Sequence, residues 1–143
     1  MEKEMINQLI DTAIYQLKYS YTPYSNFKVG AALLAKNGQV YTGCNIENAS
    51  FSATNCAERT AFFKAVYDGC YDFAAIAVVG GPAGKPVQAQ DEPSGPCGVC
   101  RQVMQEFCGP DFEIHMQKAG GGVFTVKLPE LLPFGFTKDS MEA

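Results

Sequence analysis

A chain of 143 residues that is 47% hydrophobic, 18% charged and 12% aromatic has the make-up of one folded domain, residues 1–143, with one core. Eleven Lys and Arg against fifteen Asp and Glu give a formal net charge of −4, with no basic stripe to spare for the phosphates of a nucleic acid. Apolar runs such as Val29 to Ala35 fall far short of the roughly 20 residues that span a bilayer, and Met1-Glu2-Lys3-Glu4 has the look of neither part of an export signal. The expectation is a cytoplasmic protein with no nucleic-acid or membrane partner.

Met5, Ile6, Leu9, Ile10, Ala13, Ile14 and Leu17 share one stripe at helical spacing, with Lys3, Gln8, Asp11 and Lys18 opposite. A loop broken by Pro23 follows. Phe27 to Ala35 reads as a largely buried strand, Lys36-Asn37-Gly38 as a hairpin turn and Gln39 to Gly43 as its return. A second helix starts near Thr54 or Asn55 and stops before Gly69. Phe73 to Val79 is a strand apolar on both faces, and Gly80 to Gly95 a loop. A third helix begins around Pro96 and ends at Gly109-Pro110. Phe112 to Met116 and Val123 to Val126 are short strands around a glycine turn, and Leu128 to Leu132 a last short helix. This order predicts an α/β sandwich, a mixed sheet of about five strands covered by helices.

Six cysteines without an export signal point to metal ligation or redox work rather than to disulfides. Cys97 and Cys100 stand three apart at the start of a predicted helix, and Cys56 stands at the start of another. Zinc takes thiolates in a tetrahedron and, where it is catalytic, leaves one position open. Both helix starts would favour the ionised thiols. Glu58, two residues beyond Cys56, is then placed to carry protons rather than to ligate, as in the zinc nucleobase deaminases.

Four ordered segments, Tyr24 to Leu33, Gly43 to Ala49, Cys56 to Ala61 and Pro96 to Gln102, make the chain resemble the small, homotetrameric, zinc-dependent cytidine deaminases. The resemblance implies the three-layer sandwich of that family and hydrolytic deamination of cytidine and deoxycytidine in pyrimidine salvage. It implies one Zn²⁺ per chain on Cys56, Cys97 and Cys100, with Glu58 as proton shuttle. Asn45 and Glu47 would then hold the ribose, Phe27 would pack on the base, and the Ala57 N–H would bond the pyrimidine carbonyl. Phe136, or Phe134 beside it, would close a neighbouring subunit's site. Three thiolates on one Zn²⁺ sum to −1. Arg59, next to Glu58, and Arg101, next to Cys100, are the candidates to offset that charge alongside the helix dipoles, Arg59 by bonding a ligand sulfur. Asn45 and Glu47 alternate with Ile46, so an extended segment presents both to one side. A carboxylate there suits sugar hydroxyls and repels phosphate, which favours a free nucleoside.

Other readings of the same residues differ in what they leave unexplained. A related deaminase acting on a modified nucleoside or an antibiotic would use the same zinc segments. A thiol–disulfide centre at Cys97 and Cys100 leaves Cys56 and Glu58 without a role. A structural zinc needs a fourth ligand, for which Cys44 is nearest in sequence. Glu58 would also fit a capping box opened by Asn55. Cys44, Cys70 and Cys108 read as buried small hydrophobes and His115 as structural. Gly80 to Lys85 is no phosphate loop, because Val79 and Pro86 occupy its defining positions.

Overall fold

In a computed structural model describing residues 1–86 and 93–142, the first helix, α1, runs Lys3–Gln16 and buries Leu9, Ile10 and Ala13 on its apolar stripe. Against that stripe lie Ala32, Ala75, Ala77 and Val79, small residues that bring helix and sheet close. The sheet has five strands in the order β2-β1-β3-β4-β5. They are β1 (Phe27–Ala35), β2 (Val40–Cys44), β3 (Phe73–Pro82), β4 (Glu113–Gln117) and β5 (Val123–Lys127). β1 pairs antiparallel with both β2 and β3, and β4 pairs antiparallel with β5. β3 and β4 are parallel, which requires the crossover supplied by helix α3 (Gly98–Phe107).

The opposite face of the sheet carries α2 (Ala57–Tyr67) and α3, so the chain forms three layers. Successive residues of β1 divide between the two faces: Ala31, Leu33 and Ala35 meet α2 and α3, while Ala32 meets α1. Phe62 of α2 lies fully buried at the centre of the second core, its ring 5.1 Å from Phe73, 6.1 Å from Phe112 and 6.3 Å from Phe107. Truncating such a residue to Ala costs about 3–5 kcal/mol. A short helix, α4 (Leu128–Leu131), follows β5.

Several boundaries differ from the sequence expectation, each for a local reason. β3 continues three residues beyond Val79, because Gly80, Gly81 and Pro82 pair with Val29, Lys28 and Phe27. The loop expected from Gly80 therefore starts later, and its residues 87–92 lie outside the described residues. α2 starts at Ala57 rather than near Thr54 or Asn55. Asn55 is held extended by two hydrogen bonds with Ile46, at 2.9 and 3.0 Å, so Cys56 becomes the N-cap. Glu58 is then the second helical residue, and no capping box with Asn55 exists. α3 begins at Gly98 with Cys97 as its N-cap.

Candidate active site

Cys56 and Cys97 each cap a helix of the same layer, and Cys100 sits in the first turn of α3. These placements bring the three sulfurs within 4.8 Å of one another, with Cys56 Sγ 3.6 Å from Cys97 Sγ and Cys97 Sγ 3.5 Å from Cys100 Sγ. Three sulfurs on a tetrahedral zinc at ~2.3 Å stand about 3.8 Å apart, so the cluster is close to the size the ion needs. Among the described residues it is the one group of His, Cys, Asp and Glu with such spacing, and Cys44 is not part of it.

The ionisation of Cys56 and Cys100 together also calls for a cation. The Cys56 thiol is held down at about 5, first by a hydrogen bond from Cys100 and further by Arg59, whose Nη2 donates to Cys56 Sγ at 3.3 Å. Cys100 moves the other way, because its proton bonds Cys56 and because it is buried. The Cys56 thiolate forms readily, and ionising Cys100 beside it needs a positive centre between the sulfurs. The residues present fit a zinc ion, which Cys56, Cys97 and Cys100 would hold.

Glu58 is buried beside this cluster with 3% of its surface exposed. Burial raises its carboxyl to about 7, and the Cys56 charge adds to the rise. A carboxyl at that value both gives and takes a proton at neutral pH. The adjoining cleft has a volume of about 310 Å³ and is walled by Phe27, Val29, Asn45, Thr54 to Glu58, Ser94, Gly95 and Cys97. No Lys or Arg among the described residues lines it. Ala57 is the first residue of α2, so its N–H has no partner within the helix.

The structure thus gathers Phe27, Asn45, Cys56, Ala57, Glu58 and Cys97 around one cavity, with Cys100 and Arg59 behind the wall. Asn45 has a second task that the sequence did not disclose. Its Oδ1 accepts the Val29 N–H and its Nδ2 donates to the Phe27 carbonyl, both at 2.9 Å, which ties the segment after β2 to β1. Glu47 lines a neighbouring cleft with Tyr24, Ser25 and Phe51, and Thr54 borders both. Its carboxylate accepts the Tyr24 N–H at 2.9 Å, the Ser25 N–H at 3.1 Å and the Ser25 hydroxyl, which keep it ionised. Ser25 Oγ in turn accepts the Phe27 N–H at 3.1 Å.

Phe136 does not line its own chain's cleft, and Phe134 is fully exposed with a left-handed backbone at φ 55°. Thr54, Asn55, Ser94 and Gly95 join the wall without having been singled out as binding residues. Their place follows from the Ile46–Asn55 bridge and from the segment before Cys97, long-range features that local pattern does not carry. His115 is fully buried, with Nδ1 2.8 Å from Thr125 Oγ1, and serves the sheet. Cys44, Cys70 and Cys108 turn out half-buried rather than fully enclosed.

The model of the cytidine and deoxycytidylate deaminase zinc-binding region matches residues 3–116. The chain is 46% identical over 141 residues to the cytidine deaminase of Halalkalibacterium halodurans, covering 99% of this chain and 98% of that one. It is 45% identical over 136 residues to the cytidine deaminase of Sporosarcina psychrophila, covering 95% and 94%. The crystal structure of cytidine deaminase from Burkholderia pseudomallei superposes with a TM-score of 0.81 at 45% identity, covering 95% of this chain and all of that one.

Proposed function

This chain belongs to the cytidine and deoxycytidylate deaminase family, and on that footing we propose that it hydrolyses cytidine and deoxycytidine to uridine and deoxyuridine with release of ammonia. The observation that carries the reading is Glu58, a buried carboxyl near neutrality placed between a three-thiol cluster and a cleft of about 310 Å³. Bound by Cys56, Cys97 and Cys100, the zinc supplies the Lewis acidity that makes water a nucleophile at neutral pH.

The chain's own residues do the rest. Glu58 takes a proton from the attacking water and delivers it to ring N3 as a C–O bond forms at C4. It then takes the remaining proton from the hydroxyl now on C4 and passes it to the exocyclic nitrogen as the C4=O forms and the C4–N bond breaks, so that one water is consumed and one ammonia leaves. Phe27 packs against the pyrimidine, and the free N–H of Ala57 donates to its carbonyl. Asn45 keeps one N–H and one lone pair beyond its bonds to β1, and Glu47 keeps acceptor capacity on a carboxylate already held in place. These two groups take the ribose hydroxyls. A cleft lined by no Lys or Arg among the described residues suits a nucleoside rather than a nucleotide.

The working form is a homotetramer in the cytoplasm, in which Phe136 of one chain closes a neighbour's cleft. The exposed Ile46, Phe63, Tyr67 and Phe134 give the surface the apolar character that association requires. No described helix is long and apolar enough to cross a membrane. A panel of cytidine, deoxycytidine, cytosine and cytidine monophosphate, followed by the change in ultraviolet absorbance, tests the substrate. Rapid conversion of the two nucleosides and little of the base or the nucleotide is the expected result. Preference for the free base would remove the assigned roles of Asn45 and Glu47.

A further inference from the structure

α3 offers Cys97 and Cys100 at its start, and the residue that follows, Arg101, makes no hydrogen bond to a sulfur. Its Nε–H donates to the Pro96 carbonyl at 2.8 Å, and its Nη1 donates to the Leu131 carbonyl at 2.8 Å. Pro96 is fully buried and directly precedes Cys97, outside the hydrogen-bonded ladder of the helix. Its carbonyl needs a partner, and Arg101 is that partner. Gly95 lies beside the guanidinium, where a Cβ would make an ordinary contact at 3.5 Å from Arg101 Nη2. At the other end of the same segment, the Ser94 hydroxyl donates to the Gly80 carbonyl at 3.3 Å. Residues 94–97, of which Ser94, Gly95 and Cys97 wall the cleft and the last is a metal ligand, are thus tied at both ends.

The second carbonyl belongs to α4, and the contact continues along α3. Gln102 Nε2 donates to the Phe136 carbonyl at 2.8 Å, and a Cβ on Gly135 would meet Gln105 Oε1 at 2.9 Å. The helix that supplies two ligands from its first turn therefore also seats residues 131–136. A guanidinium is a planar fork that satisfies two acceptors at once, which an ammonium on a flexible stem does not reproduce.

We propose that Arg101 is a positioning residue that couples the metal centre to the C-terminal segment, fixing Cys97 through the Pro96 carbonyl and α4 through the Leu131 carbonyl. This rests on the reading of the three-thiol cluster as a zinc site. Arg59 has a separate task, because it touches Cys56 directly.

The test loads the wild-type protein, Arg101→Met, Arg101→Lys and Gln102→Ala with cobalt(II) in place of zinc. The absorption bands of tetrahedral thiolate-bound cobalt report the geometry, and transfer to a chelator reports the rate of metal release. Both Arg101 variants are expected to show altered cobalt bands and release about tenfold faster, the size of effect seen when groups behind metal ligands are lost. Amide exchange across residues 131–136 should quicken in the same two proteins. Gln102→Ala should loosen the tail while leaving the cobalt spectrum as in the wild type. An unchanged spectrum with release within twofold in Arg101→Met overturns the proposal, and so does full rescue by Arg101→Lys, which would show that charge alone suffices. If Arg101→Met does not fold, Arg101→Lys decides the matter alone. A wild-type protein that takes up no cobalt overturns the zinc reading itself and the proposal with it.

Discussion

Glu58 combines two properties that rarely coincide in one side chain: it is almost wholly enclosed, and its carboxyl sits near neutrality because burial disfavours the ionised form. Replacing it by Gln keeps the shape and removes the proton transfer. Glu58→Gln is expected to retain one zinc per chain and to lose about 10²–10⁴-fold in turnover, the usual range for a general acid–base group. Metal analysis beside the rate measurement separates this from loss of the site. At this scale the sequence was most legible where chemistry demands particular atoms. Three sulfurs and a carboxyl two residues beyond Cys56 are written in the chain itself. Asn45 shows the limit, since its bonds to Phe27 and Val29 depend on which strand lies beside it, and residue spacing does not carry that.

Two elements meet the sheet through glycines, and the two consequences differ. A Cβ on Gly43 of β2 would overlap the Ala57 carbonyl oxygen and stand 2.8 Å from the Ala61 nitrogen, both on the backbone of α2. A Cβ on Gly30 of β1 would overlap the Ala13 carbonyl oxygen of α1 on the other face. Neither helix yields without moving, and overpacking of this kind costs about 1–3 kcal/mol. Both Gly43→Ala and Gly30→Ala should therefore lower the unfolding temperature. Gly43→Ala alone should also depress turnover and zinc retention in the folded protein, because α2 carries Cys56 and Glu58. Equal activity loss in the two variants would show that the faces are not independent. The continuous run of small and apolar residues from Val29 to Ala35 made β1 readable residue for residue. The three extra residues of β3 were not readable, because Gly80, Gly81 and Pro82 have little intrinsic strand preference and are drawn in by pairing with β1. The start of α2 was misplaced for a similar reason, as the Ile46–Asn55 bridge overrides the capping tendency of Asn55.

For the whole molecule, pH links stability to the one histidine. His115 is enclosed between β4, β5 and the α1 layer, and burial holds its imidazole below the ordinary value, opposed by Glu113 and reinforced by the N-terminal ammonium. The unfolded chain therefore binds more protons than the folded one in this range. The stability His115 contributes is full above its unfolded value of about 6.5 and is lost as pH falls from there toward the folded value. Thermal unfolding of wild type and His115→Gln between pH 8 and pH 5.5 should show the wild type losing more stability on acidification, with the difference between the two proteins isolating the imidazole from the thiolates. Parallel curves would mean that His115 is solvated or already charged when folded.

The mixed sheet of about five strands covered by helices followed from element order, whereas the three-layer arrangement was what the family resemblance implied. Its physical basis is the parallel β3–β4 pair, which demands a crossover, and the burial of β1 and β3 on both faces. What that architecture achieves is the meeting of two helix starts at one cleft. The central claim is that this meeting makes a zinc-dependent deaminase, and its most direct measurement is the ultraviolet spectrum of cytidine with the purified protein before and after chelation and after zinc is restored. The account predicts conversion to the uridine spectrum, its loss on chelation and its return with about one zinc per chain. Conversion that persists at full rate in metal-free protein would contradict it.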